Sequence, residues 1–250
     1  MLYFHNYLIT FIILAFTNVN FSVHFQPIYF TQTINNSDIN KGLSFKGRKH
    51  KGKQSSGGSR PDCPVPKDEK RKLTALIPTS NWGKTTQGNP TLWFYVPYSP
   101  DQIKYGNFVL QDKNGEHEQR IKFNLPNTPG FVSFTLPKEL ELKEVGLEQQ
   151  WFFELYCDPN KSPADVHGWI EKIEVSNTLQ TLLDSSANKY KIYEENGIWY
   201  DTISDLFSLK PNQSPPELNF WKEQLLKRED VNLNNLPLEP LIGEVLLQKQ

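Results

Sequence analysis

Few residues in this chain could do chemistry: two cysteines, Cys63 and Cys157, five histidines, and one loop rich in oxygen side chains. His5 and His24 fall in an uncharged leader and His50 in a basic stretch, which leaves His117 and His167 for a folded site. Cys157 with His167 could form a thiolate–imidazole nucleophile. Cys63, however, offers Cys157 a disulfide partner, and no oxyanion-forming loop is evident. The run Asp158-Pro159-Asn160-Lys161-Ser162-Pro163-Ala164-Asp165 alternates oxygen side chains as a calcium loop does. Pro163 stands where an EF-hand needs glycine and Trp169 where it needs glutamate, so that motif is excluded. An Asx- and Pro-rich loop joining two strands is the plain account, with an irregular Ca²⁺ site as its alternative. No G-x-S-x-G, phosphate-binding glycine loop, H-E-x-x-H or C-x-x-C occurs, so no catalytic residue, metal or cofactor is assigned.

What could bind is aromatic. Thr91 to Pro100, TLWFYVPYSP, alternates Leu92, Phe94, Val96 and Tyr98 on one side with Trp93, Tyr95 and Pro97 on the other. Both sets are apolar, whereas a sandwich strand normally keeps one face wet. The second face is therefore either covered by other elements or a contact surface. Trp93, Tyr95 and Tyr98 are the candidate binding residues, suited to sugar rings or a peptide because aromatic rings join apolar area to a polar edge.

The elements that would position them are β-rich. Aromatic residues make up 13% and proline is abundant, which favours strands over helical bundles. Short runs at Leu73–Pro78, Thr91–Pro100, Asn107–Gln111, Arg120–Leu125, Phe131–Leu136, Trp151–Cys157 and His167–Val175 are punctuated by turns, with Asn81-Trp82-Gly83 read as one and Asn114-Gly115 as a hairpin signal. About seven strands predict an antiparallel, immunoglobulin-like β-sandwich over 63–176, with a small closed barrel as alternative. The period changes after Thr178. Ser186 caps a helix over Ala187–Glu195 that stops at Asn196-Gly197, a second runs from Ile198 to Leu209, and a third follows Ser214-Pro215-Pro216. Residues 177–250 thus read as a small helical cap that docks on the sandwich.

Ahead of the body, residues 1–30 carry no Asp, Glu, Lys or Arg and include the apolar run Leu8–Phe16. They read as a secretory signal peptide or a signal anchor. Residues 31–62 are expected to be a disordered tether, because 41–60 hold seven basic side chains, no acid and five glycines. In an oxidising compartment the cysteine pair reads as a disulfide. Net charge is −1, from 27 basic and 28 acidic residues, so there is no global field for nucleic acid. Only the tether is expected to touch anionic surfaces.

The strings GGSRPDC (57–63), LTALIP (73–78), WFYVPYSP (93–100), LPNTPG (125–130), YCDP (156–159), Gly168-Trp169 and ENGIWYD (195–201) resemble the cyanobacterial domain of unknown function 928 family. The resemblance covers about 57–240 and implies export with a signal peptide and a basic, Gly-rich lead-in; it brings no catalytic residues. The expectation is a non-catalytic, extracytoplasmic binding or envelope-associated module whose partner is an envelope protein or an acidic polysaccharide. Two alternatives stand beside it: a secreted hydrolase-like enzyme with an unrecognised site, and a structural surface component attached through its basic tether.

Overall fold

The computed structural model describes residues 45, 49–56, 63, 72–208, 224–237 and 239–248. The expected signal at 1–30, most of the tether and the start of the third expected helix lie outside them.

Among the described residues ten strands and three α-helices follow in order: β1 (Thr74–Ala75), β2 (Trp82–Thr85), β3 (Thr91–Val96), β4 (Tyr105–Asp112), β5 (Gln119–Asn124), β6 (Gly130–Thr135), β7 (Glu148–Tyr156), β8 (Ala164–Lys172), α1 (Asn177–Ser185), α2 (Lys189–Glu195), α3 (Trp199–Ser208), β9 (Leu241–Glu244) and β10 (Leu246–Leu247). They form a four-stranded sheet, β1-β3-β6-β9, and a six-stranded sheet, β10-β5-β4-β7-β8-β2. The inner faces meet through aromatic rings. Phe94 stacks on Phe153 with centroids 4.0 Å apart, and Phe108 on Phe134 at 4.1 Å. The β4–β5 hairpin forms at Asn114-Gly115, where Gly115 takes φ +75°; such a left-handed position favours glycine.

The sheets are mixed, not purely antiparallel as expected. β2 runs parallel to β8, and β9 parallel to β6. Each is an edge strand that arrives through a long connection and so is not bound to its neighbour by a hairpin. Trp82, expected in a turn, opens β2; the turn residue is Asn81, at φ 56°. The C-terminal region is not wholly helical, since β9 and β10 complete the two sheets.

The helices also differ in detail. Ser176 caps α1 by accepting a hydrogen bond from Leu179 N, while Ser186, expected to start a helix, is the C-cap of α1. The stop at Asn196-Gly197 forms as read. Ile198 N donates to Tyr193 O and Gly197 N to Glu194 O, with Gly197 at φ +67°, the paired bonds of a Schellman ending.

α3 docks on the β body. Trp199 is fully buried and its Nε1 donates to Leu76 O at 2.8 Å. Tyr200 Oη accepts from Trp151 Nε1 at 2.7 Å and donates to Trp169 O at 2.9 Å. Phe207 lies 4.6 Å from Trp93 and 5.8 Å from Phe131, on the outer side of the four-stranded sheet.

Within the expected tether, the described residues are packed rather than disordered. Phe45 is buried, its N–H donating to Asp230 Oδ2 and its ring 4.8 Å from Trp199. Residues 49–56 run as a strap: Lys53 exchanges backbone hydrogen bonds with His167, Ala75 N donates to Gln54 O, and Ser56 N donates to Leu73 O. β2 pairs only with the 169–172 half of β8, so the other half would expose unpaired backbone groups. The strap satisfies those of His167, a gain that does not depend on apolar side chains.

Candidate sheet face and binding cleft

Tyr95 and Tyr98 are buried and Trp93 is half-buried against Phe207, so the three expected binding residues form no open shelf. Burial pushes the Tyr98 phenol up. Cys157 is bonded to Cys63, with Cα atoms 5.3 Å apart, and so is no nucleophile. His167 pairs with Asp165 through Nδ1 at 3.2 Å. The 158–165 loop is the Asx turn of the plain account, Asn160 N donating to Asp158 Oδ1, and Asp165 is committed to Lys53 Nζ at 2.9 Å and to His167. Burial raises the Asp165 pKa, but the hydrogen bonds from His167 and Lys53 outweigh it and hold the carboxyl at about 2. At the β4–β5 turn, Asp112, Glu116 and His117 bring ligating atoms within 4.8 Å of one another on an exposed tip.

The aromatic surface that does exist is the outer face of the six-stranded sheet. Alternation sends Phe108, Trp151 and Phe153 inward and the intervening residues outward. The register then lays out three rows: Tyr105 beside Tyr156; Val109, Phe152 and His167; and Gln111, Gln150, Trp169 and Trp82. Tyr105 and Tyr156 stack at 4.7 Å with Lys122 Nζ 4.0 Å above the Tyr105 ring. Phe152 sits 5.0 Å from His167, and His50 of the strap stacks on Trp169 at 4.8 Å. Polar groups alternate with these rings: Arg120 Nη1 meets Glu154 Oε2 at 2.7 Å, and Gln111 Nε2 donates to Gln150 Oε1. The rings are half-buried like Trp93, and Trp169 Nε1 donates to Lys51 O of the strap at 2.9 Å.

A second concavity, of about 320 Å³, lies between the β2–β3 turn and α3. Asp201 and Asp205 stand one helical turn apart, hence on one face of α3. Asp201 is buried; it accepts Thr86 N at 3.1 Å and Thr86 Oγ1 in a short hydrogen bond, pinning the turn to the helix. Burial raises its pKa, opposed by the Thr86 hydrogen bond. Asp205 Oδ2 accepts Tyr190 N at 2.8 Å near the start of α2, and burial raises its pKa too. The Tyr193 phenol is pushed up by burial and then by the Asp201 charge. Thr85, Gln87, Asn89, Thr91, Ser204 and Ser208 complete the polar lining, which among the described residues includes no histidine, cysteine, lysine or arginine. Such a set can hold a polar ligand through hydrogen bonds; it offers no nucleophile paired with a base.

Asp201 closes the ENGIWYD string, yet neither aspartate stood out as a site residue. The available signal was two carboxylates at i, i+4 on a helix whose apolar stripe is Trp199, Ile203, Leu206 and Phe207. That spacing also describes an ordinary solvated face.

Among the described residues no helix is long and apolar enough to cross a membrane. A family model described as Domain of Unknown Function (DUF928) matches residues 55–241. No curated protein matches the chain.

Proposed function

Because the chain belongs to the DUF928 family, whose description assigns no activity, we propose from its surfaces that it is a non-catalytic, exported binding or envelope-associated module. The observation that carries this reading is an asymmetry between the sheets. α3 packs on the outer side of the four-stranded sheet through Phe207, whereas on the outer face of the six-stranded sheet Tyr105, Tyr156 and Phe152 stay partly exposed among Arg, Gln and Glu side chains, with Trp169 beneath the strap at its far end. Rings with polar edges set among hydrogen-bonding groups suit a partly wet interface. The Cys63–Cys157 bond accords with an oxidising, extracytoplasmic compartment.

The partner is an acidic polysaccharide or an envelope protein, with Lys122 over Tyr105 and Arg120 beside Val109 on the face. A hydrolase-like reading draws on Asp201 and Asp205 in one cleft. It is the weaker one, because Asp201 is spent on the Thr86 turn. Attachment through the basic segment alone also fits less well, since 49–56 is bound to the protein's own sheets.

The test is mobility of the full chain in gels containing alginate, with co-sedimentation on isolated envelopes as the second arm. Retardation or sedimentation that Tyr156→Ala and Trp169→Ala both weaken supports the sheet face. Unchanged mobility together with no sedimentation refutes it, as does binding indifferent to both substitutions.

A further inference from the structure

We propose that the cleft between the β2–β3 turn and α3 binds a single neutral sugar residue. The inference shares the reading of the protein as a binding module but uses a different surface. Its volume, about 320 Å³, falls at the small end of the roughly 300–1,000 Å³ of ligand pockets, a size for one ring and not for a chain laid along a groove.

The lining has unspent hydrogen-bonding capacity of one kind. Asp205 uses Oδ2 for Tyr190 N, and its Oδ1 accepts no hydrogen bond among the described residues. Asn89 donates through Nδ2 to Leu136 O and Pro137 O, and Gln87 through Nε2 to Thr86 Oγ1 and Asp201 Oδ1. Both amide oxygens are left as acceptors. The Ser204 hydroxyl makes no hydrogen bond among the described residues, and Ser208 donates to Asp205 O. An acceptor-rich cleft is met by a ligand that brings several O–H donors, as a sugar ring does.

Charge narrows the class further. Among the described residues no basic side chain lines the cleft, and the nearby Lys189 is already set against the Asp205 carboxylate, so an acidic sugar or a phosphate would gain little counter-charge. A cation is not demanded either. The Asp201 carboxylate is already met by Thr86 N–H, Thr86 O–H and Gln87 N–H, and Lys189 lies close enough to Asp205 to stabilise its charge. Neutral hydroxyls match what is left.

Saturation-transfer NMR on the full chain tests this with methyl glucoside, methyl galactoside and N-acetylglucosamine as neutral probes and with glucuronate and putrescine as charged ones. At least one neutral sugar should receive saturation and glucuronate none. Ser208→Trp, at an exposed position ending α3, fills the cleft mouth without disturbing the core and should abolish the signal. Asp205→Asn keeps an oxygen for Tyr190 N–H but removes the charged acceptor, and should weaken binding about tenfold. Tyr156→Ala, on the sheet face, should leave sugar binding unchanged. The proposal is overturned if no neutral sugar binds, if Ser208→Trp binds as well as the natural protein, or if putrescine binds in place of the sugars. It is equally overturned if Tyr156→Ala removes the sugar signal, which would move the ligand to the sheet face.

Discussion

Replacing Tyr200 by Phe deletes one oxygen and leaves the ring, and that oxygen joins α3 to the six-stranded sheet twice. It accepts from Trp151 Nε1 at 2.7 Å and donates to Trp169 O at 2.9 Å. Trp151 and Tyr200 are 1% and 3% exposed, so water does not replace the lost partner. Leaving a buried donor unsatisfied costs about 1–3 kcal/mol. With the second hydrogen bond at about 1 kcal/mol, Tyr200→Phe should destabilise the protein by about 2–4 kcal/mol, a large share of the roughly 5–15 kcal/mol that holds a domain folded. Urea unfolding followed by tryptophan fluorescence measures it. Trp151→Phe removes the indole donor itself, so in the double variant no buried N–H is orphaned, and the two losses should fall short of additive by about 1–2 kcal/mol. The same phenol has a pH signature. Burial raises its pKa above the ordinary 10.0, so the folded protein keeps the proton that the unfolded chain releases. Its stabilisation is complete below about pH 10 and declines as pH rises further. Tyr200→Phe should flatten that alkaline decline. A destabilisation under about 0.5 kcal/mol, the size of an ordinary surface change, or strict additivity with Trp151→Phe, would refute the view that these hydrogen bonds dock α3.

Two further outcomes follow from the ends of the body. Replacing both Cys63 and Cys157 by Ser opens a loop spanning 94 positions and should lower unfolding stability by about 2–4 kcal/mol, read as a lower urea midpoint with a larger m-value, because the uncrosslinked unfolded chain exposes more surface. The Asp165 carboxyl, held at about 2 against an ordinary 3.8, contributes stability that is complete above pH 3.8 and lost as pH falls toward 2. Lys53→Ala should therefore reduce this acid-sensitive component and speed amide exchange at His167, whose N–H the strap accepts.

Features announced by local chemistry were legible in the sequence. Asn114-Gly115 marks a hairpin because a left-handed turn position favours glycine. Asn196-Gly197 ends a helix for the same reason, and the alternation of Thr91–Val96 reveals a strand wherever its partners lie. What depended on distant partners was not legible. β2 is only WGKT, and its strand character comes from pairing with Trp169–Lys172. β9, LIGE behind a proline, becomes a strand because Phe131–Ser133 offers an open edge. α1 carried its signal, Leu179 and Leu183 buried one turn apart behind a Ser cap, but so brief a stripe resembles a loop. The strap was misjudged because composition measures what side chains can bury, whereas backbone pairing holds it. Trp93 and Tyr95 were recognisable as a face in need of cover, and the helical region read as docking on the sandwich supplies it at Trp93 through Phe207. Asp201 and Asp205 stayed hidden because their neighbours in the cleft, Gln87 and Asn89, are more than a hundred positions away along the chain.

The two ends of the described chain act as seams. The strap bonds to β8 in one sheet and β1 in the other, and the last strands bond to β6 in one and β5 in the other. Ribosomes deliver this chain from its N-terminus, so the first seam emerges long before its partner strand β8, and the second is completed only by Leu247. Until then both sheets carry open edges, which are templates for foreign strands. A nascent chain of this design must be shielded or kept unfolded until Leu247 has emerged, and a premature stop near residue 240 should be met by proteolysis rather than by a smaller working module.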